Sequence, residues 1–126
     1  KIIFCIGETL KEKRNKKTNQ ILSKQIKMGL KSIQKKSNII IAYEPVWAIG
    51  TGLSANPSQA QEMHNFIREK FKVKFSESIS DNLTIIYGGS VNSKNATSLF
   101  NQRDIDGGLV GGASLKAEEF ISICKS

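Results

Sequence analysis

Three loops in this 126-residue sequence hold residues whose types and spacing can do chemistry. The first reads Ala42-Tyr43-Glu44-Pro45-Val46-Trp47-Ala48-Ile49-Gly50-Thr51-Gly52 and follows an apolar run directly. A carboxylate at a strand end, fixed by the proline after it and set beside a large indole, becomes a general base once water is excluded. Gly50 and Gly52, next to the small stretch Leu53-Ser54-Ala55, suit a loop that opens and closes. A lone Glu in such a place more often makes a strand-end salt bridge, and it is the eleven-residue context that favours the base. The other two loops, Tyr87-Gly88-Gly89-Ser90-Val91-Asn92 and Val110-Gly111-Gly112-Ala113-Ser114-Leu115, each set a glycine pair before a helical turn. Backbone N–H groups exposed there, reinforced by the helix dipole, bind a phosphate without a side-chain cation. Either pair alone is more often a plain turn; two of them on consecutive strands, behind an acid-bearing loop, form a much stronger pattern.

These loops need a scaffold that gathers them. Four apolar runs, Ile2–Ile6, Ile39–Tyr43, 83–87 and 105–110, are rich in Ile and Val without polar alternation, as expected of strands buried on both faces of a parallel sheet. Helical patterns follow each of them. In the first, Leu22, Ile26, Leu30 and Ile33 recur at helical spacing with Lys24, Lys27, Lys31 and Lys35 between them, an amphipathic helix with a solvated lysine face within residues 11–36. The second helix opens with Asn56 as N-cap, Pro57 at its first position and Gln59 at its third, and its apolar residues Ala60, Met63, Ile67 and Phe71 follow at spacings of three and four. A third helix spans 94–100 and a fourth 116–124. The order is βα four times over, and right-handed crossovers place all four helices on one side of the strands. Ligands of such sheets collect at the carboxyl ends of the strands, where the three loops lie.

Composition narrows the partners. Of the +8 net charge, residues 11–36 supply +9, with ten Lys/Arg against Glu12, and the remainder of the chain is near neutral. The basic stretch has no aromatic residue to stack on bases and no nucleic-acid motif, so a salt-sensitive nucleic-acid binder is a minor reading and no nucleic-acid partner is expected. No run of about 18 apolar residues exists, so no membrane span is expected. Cys5 and Cys124 sit at opposite ends with no CxxC or Cys/His spacing, which fits reduced thiols in a cytoplasmic protein with neither disulfide nor metal site. By size alone, 126 residues fit one domain.

The sequence resembles the triosephosphate isomerase family, on Cys5-Ile6-Gly7-Glu8, the AYEPVWAIGTG stretch at 42–52, Tyr87 to Asn92 and 107–115. The resemblance runs over the whole chain and implies the following assignments. Glu44 matches the catalytic base that moves a proton between adjacent carbons of a triose phosphate through an enediol. Residues 45–55 match the closing lid, including Pro45, Val46, Trp47, Ala48, Ile49, Thr51 and Gly52. Gly50, Ser90, Gly111 and Gly112 match the positions whose backbone N–H groups hold the phosphate. Tyr87 and the Ser90 hydroxyl match residues that latch the closed lid, and Glu8 matches the acid that meets Trp47. The family needs no metal or organic cofactor and is usually dimeric.

The family fold is an α/β (β/α)8 barrel of about 250 residues. Four βα units are present here, and their motifs correspond to its second half, so residues 1–126 are expected to be a single partial domain, the carboxyl-terminal half barrel. The family's electrophilic histidine and its Asn-x-Lys belong to the first half. The only histidine, His64, lies mid-helix and is read as a helix-surface or packing residue. Gly108 stands where the family more often has Ala or Phe. Lys1 rather than Met precedes the first strand, which suggests a piece of a complete enzyme. Two expectations follow: little or no isomerisation by the chain alone, and, as the competing reading, an inactive phosphate-binding half barrel that pairs with a second copy.

Overall fold

The computed structural model describes residues 1–33 and 39–126. Three strands, β1 (Ile2–Ile6), β2 (Ile39–Tyr43) and β3 (Thr84–Tyr87), form a parallel sheet in the order β1-β2-β3. Ile2 to Ile6 pair with Ile39 to Tyr43, and Ile40 to Tyr43 with Thr84 to Tyr87. This register puts Ile6, Ile39, Ile41, Tyr43, Ile85 and Tyr87 on one face, where all are buried. There they join Leu22, Ile26, Ala60, Ile67, Phe71 and Leu99 from the helices in a single core. Each fully buried aliphatic side chain of this kind contributes roughly 1.5–3 kcal/mol.

The other face differs from the expectation of strands buried on both sides. Ile3 and Cys5 are exposed, Ile40, Thr84 and Ile86 are half-buried, and only Ala42 is buried. The helix residues of the core lie on the first face, and the second is only partly covered among the described residues.

The lysine-rich segment is two helices rather than one, α1 (Leu10–Arg14) and α2 (Thr18–Gly29). A capping box starts α1 early: the Thr9 side chain accepts from Glu12 N–H, and Glu12 accepts from Thr9 N–H. Lys16 then takes φ 56, a left-handed conformation no helix continues through. Leu22 and Ile26 are buried as expected and Lys24, Lys27 and Lys31 are exposed. Ile33 lies beyond the helix end and packs against the core, while Lys35 falls outside the described residues.

Helix α3 (Pro57–Lys74) has the expected start, with Asn56 accepting from Gln59 N–H at 2.8 Å and the Gln59 side chain turned back to Asn56 N–H. A five-residue helix not foreseen from the pattern, α4 (Glu77–Asp81), follows it, N-capped by Ser76 accepting from Ile79 N–H. Arg68 ties the two together, donating to the carbonyls of Ser80 and Leu83 at 2.8 and 3.0 Å. The last helices, α5 (Ala96–Phe100) and α6 (Ala117–Cys124), are shorter than their patterns, and a 3-10 turn at Gly112–Leu115 precedes α6.

The expected fourth strand at 105–110 is reduced to one parallel bridge, Tyr87 to Gly108. The segment still runs along β3, with Asp106 N–H donating to Ile85 O and Leu109 N–H to Tyr87 O, both at 2.9 Å. Two features stop a full ladder. The Ile85 N–H is taken by the Asp106 side chain at 2.7 Å, and Gly107 sits at φ 146, outside extended geometry. Upstream, Asp104 is bound by one face of α3. Gln61 and Arg68 donate to its carboxylate, and the Nδ1 of His64 lies 3.1 Å from its carbonyl. At Gly108 the Phe100 ring occupies the space a side chain would need.

Candidate active site

Glu44 leaves the end of β2 with its backbone held on both sides. Its N–H donates to Ile6 O at 2.8 Å, and Gly88 N–H donates to Tyr43 O at 2.8 Å. Two glycines make room for it. A Cβ on Gly7 would fall on the Glu44 carbonyl, and one on Gly88 would collide with Glu44 Cγ and stand 2.9 Å from Oε1. The motifs contain both glycines, and nothing local in the sequence points from either to Glu44. The glycine pair at 88–89 is expected to expose N–H groups, but Gly88 N–H is already spent on Tyr43 O. Cys5 also reaches the carboxylate. Desolvation of the thiol, then its hydrogen bond to Glu44, push its pKa up to about 11. It therefore stays a neutral thiol beside the carboxylate.

The residues expected to act on a ligand, Glu44, Gly50, Ser90, Gly111 and Gly112, all line one open cleft of about 480 Å³. Gly111 and Gly112 are exposed and open the 3-10 turn, so the first N–H groups of that turn have no partner within it. Asn92 lines the same cleft, its Oδ1 closing an Asx turn onto Lys94 N–H at 2.9 Å. No Lys, Arg or His borders the cleft among the described residues.

The loop after Glu44 is anchored at three places. Near its start, Trp47 Nε1–H donates to Glu8 Oε1 at 2.9 Å, and Val46 N–H to Glu8 O at 3.0 Å. Glu8 is buried and also accepts from Tyr43 OH at 3.1 Å; burial, then the Glu8 charge, raises the Tyr43 phenol pKa strongly. In the middle, the Ser90 hydroxyl and N–H both donate to Ala48 O, at 2.7 and 3.3 Å. At the far end, Ala55 N–H donates to Tyr87 OH at 2.8 Å. Pro45 is buried, Thr51 accepts from Leu53 N–H, and Val46 and Ile49 expose about half of their surface. The structure thus brings Glu8, Tyr87 and Ser90 onto the loop.

His64 is not part of the cleft. It is completely buried, edge-on to Tyr43 with ring centroids 5.9 Å apart and 6.3 Å from Tyr87. Because Asp104 O can only accept, Nδ1 carries the proton, and the buried Nε2 has no partner among the described residues. Burial lowers its pKa to about 4. Of the two roles expected, packing holds and helix surface does not. The Gln61, His64 and Arg68 spacing of three and four was the sequence signal for its place in the Asp104 clasp.

A parallel α/β sheet that collects a carboxylate and three glycine-bearing loops at its strand ends is the arrangement of part of a (β/α)8-type fold. A profile of the family described as triosephosphate isomerase matches residues 1–126. Triosephosphate isomerase of Flavobacterium psychrophilum is 52% identical over 124 residues, covering 97% of this chain and 50% of the relative. That of Chloroherpeton thalassium is 50% identical over 127 residues, covering 99% and 50%. The chain belongs to the triosephosphate isomerase family, and it spans about half the length of the curated relatives it matches. No described helix is long and apolar enough to cross a membrane.

Proposed function

We propose that residues 1–126 are the carboxyl-terminal half barrel of a cytoplasmic, dimeric triosephosphate isomerase and contribute its base, its lid and its phosphate loops. The observation that carries this reading is the single cleft on which Glu44, Gly50, Ser90, Gly111 and Gly112 converge. The reaction interconverts glyceraldehyde 3-phosphate and dihydroxyacetone phosphate. The Glu44 carboxylate takes the proton on the carbon beside the carbonyl, and that C–H pair becomes the enediol double bond as the carbonyl oxygen is protonated. Return of the proton to the former carbonyl carbon, as the other enediol hydroxyl gives up its proton and becomes the new carbonyl, completes the exchange. Backbone N–H groups of Gly50, Ser90, Gly111 and Gly112 hold the phosphate, with Ser90 N–H exchanging Ala48 O for the anion. Residues 45–55 close over the site, which removes water and strengthens the base.

A second reading applies to the chain by itself, favoured by a cleft that no Lys, Arg or His borders among the described residues. Proton removal leaves negative charge on the carbonyl oxygen, and nothing at the cleft wall polarises it. Alone, the chain binds phosphate and turns nothing over. Supplying the complementary half barrel is expected to give isomerase activity that falls about 10²- to 10⁴-fold on Glu44→Gln, the range a general base contributes. Undiminished activity in that variant would remove Glu44 as the base.

A further inference from the structure

Lys13 is left unused by this reading, yet it stands against the lid. Trp47 is the only tryptophan in the sequence and is half-buried at the root of the lid. Its ring N–H donates to buried Glu8, while Lys13 Nζ lies over the ring face, 3.4 Å from the centroid. An indole carries partial negative charge on its face and positive charge at its edge, so a cation above and an anion at the N–H match both. Both groups come from one short stretch of chain. Glu8 immediately precedes the Thr9 N-cap, and Lys13 lies within α1, whose start the Thr9–Glu12 capping box holds. Desolvation lowers the Lys13 pKa, partly offset by the Glu8 charge, so the ammonium is partly withdrawn from bulk water, where a cation–π contact gains strength. A cavity of about 180 Å³ bordered by Lys13, Tyr43, Trp47 and Ala55 adjoins the indole and leaves it room to move.

We propose that Lys13 is a positioning residue for the lid, its ammonium on the Trp47 face acting with Glu8 on the ring N–H to hold the root of the lid in place. The proposal rests on reading residues 45–55 as a lid. Helix α1 thereby grips the indole by its face, and the charge of Lys13 matters beyond the cover its aliphatic stem provides.

Because Trp47 is the sole tryptophan, its fluorescence reads the grip directly. Acrylamide quenching is compared in the 126-residue chain, in Lys13→Met, which keeps the stem and loses the charge, and in Lys13→Arg, which keeps the charge. Lys13→Met is expected to raise the accessible fraction of Trp47 roughly two- to tenfold, with a red-shifted emission, and Lys13→Arg to match the wild type. Lys13→Gln carries the same expectation as Met if the Met chain associates. A Met variant equal to the wild type overturns the proposal, as does an Arg variant no better than Met or a wild-type Trp47 as accessible as free tryptophan. A second series titrates inorganic phosphate while following Trp47 emission, and Lys13→Met is expected to weaken the response by a similar factor. Phosphate that leaves wild-type emission unmoved counts against the phosphate site, while the quenching comparison still decides the role of Lys13.

Discussion

A carboxylate can lie against the ends of two neighbouring strands only where those strands lack side chains, and Gly7 and Gly88 supply that gap for Glu44. Gly88→Ala is therefore expected to push the carboxylate aside. With a misplacement of about 1 Å costing on the order of 10²-fold in rate, kcat of the complemented enzyme should fall by that order with KM little changed. Tyr87→Phe tests the other end of the loop. It strands the Ala55 N–H, and a buried donor left without a partner costs about 1–3 kcal/mol, to be read by urea unfolding. His64 links stability to pH. Its folded pKa of about 4 lies below the ordinary value near 6.5, so between these values the unfolded chain holds a proton that the folded chain does not. Stability is complete above about pH 6.5 and falls as pH drops toward 4, by roughly 3 kcal/mol. Urea midpoints across that window should show the slope, and His64→Gln should flatten it.

At the scale of elements, local signals were legible where one stretch of chain contains the whole cause. The α3 start is an example, since Asn56, Pro57 and Gln59 satisfy each other within four residues. Asn56→Ala is expected to cost about 1 kcal/mol, seen as a lowered thermal midpoint. Causes that lie far apart in the chain were not legible. The ladder at 105–110 fails beside a local turn at Gly107 because Asp106 takes an amide from β3, while α3 clasps Asp104 just upstream. Neither partner is near in sequence. The lysine-rich segment breaks at Lys16 because the Thr9–Glu12 box sets the first helix before the longer pattern begins; the box itself was readable, its precedence over the apolar period was not.

For the molecule as a whole, the partly covered sheet face has the largest consequence. Ile3 exposes 46% of its surface there beside Cys5, and the outer edge of β1 pairs with nothing among the described residues. Open parallel edges and apolar faces drive association. Sedimentation velocity of the chain alone should show associated species, shifted toward monomer by Ile3→Lys. Sequence by itself determined the family and the first three strands, and it singled out Glu44 and the glycine loops as candidates, because these depend on residue types in short contiguous motifs. Only the tertiary structure decided that Gly88 makes room for Glu44 and that Lys13 lies on Trp47. It also decided that the chain leaves one sheet face only partly covered. Those facts depend on distances between segments tens of residues apart, which packing sets and no local pattern encodes.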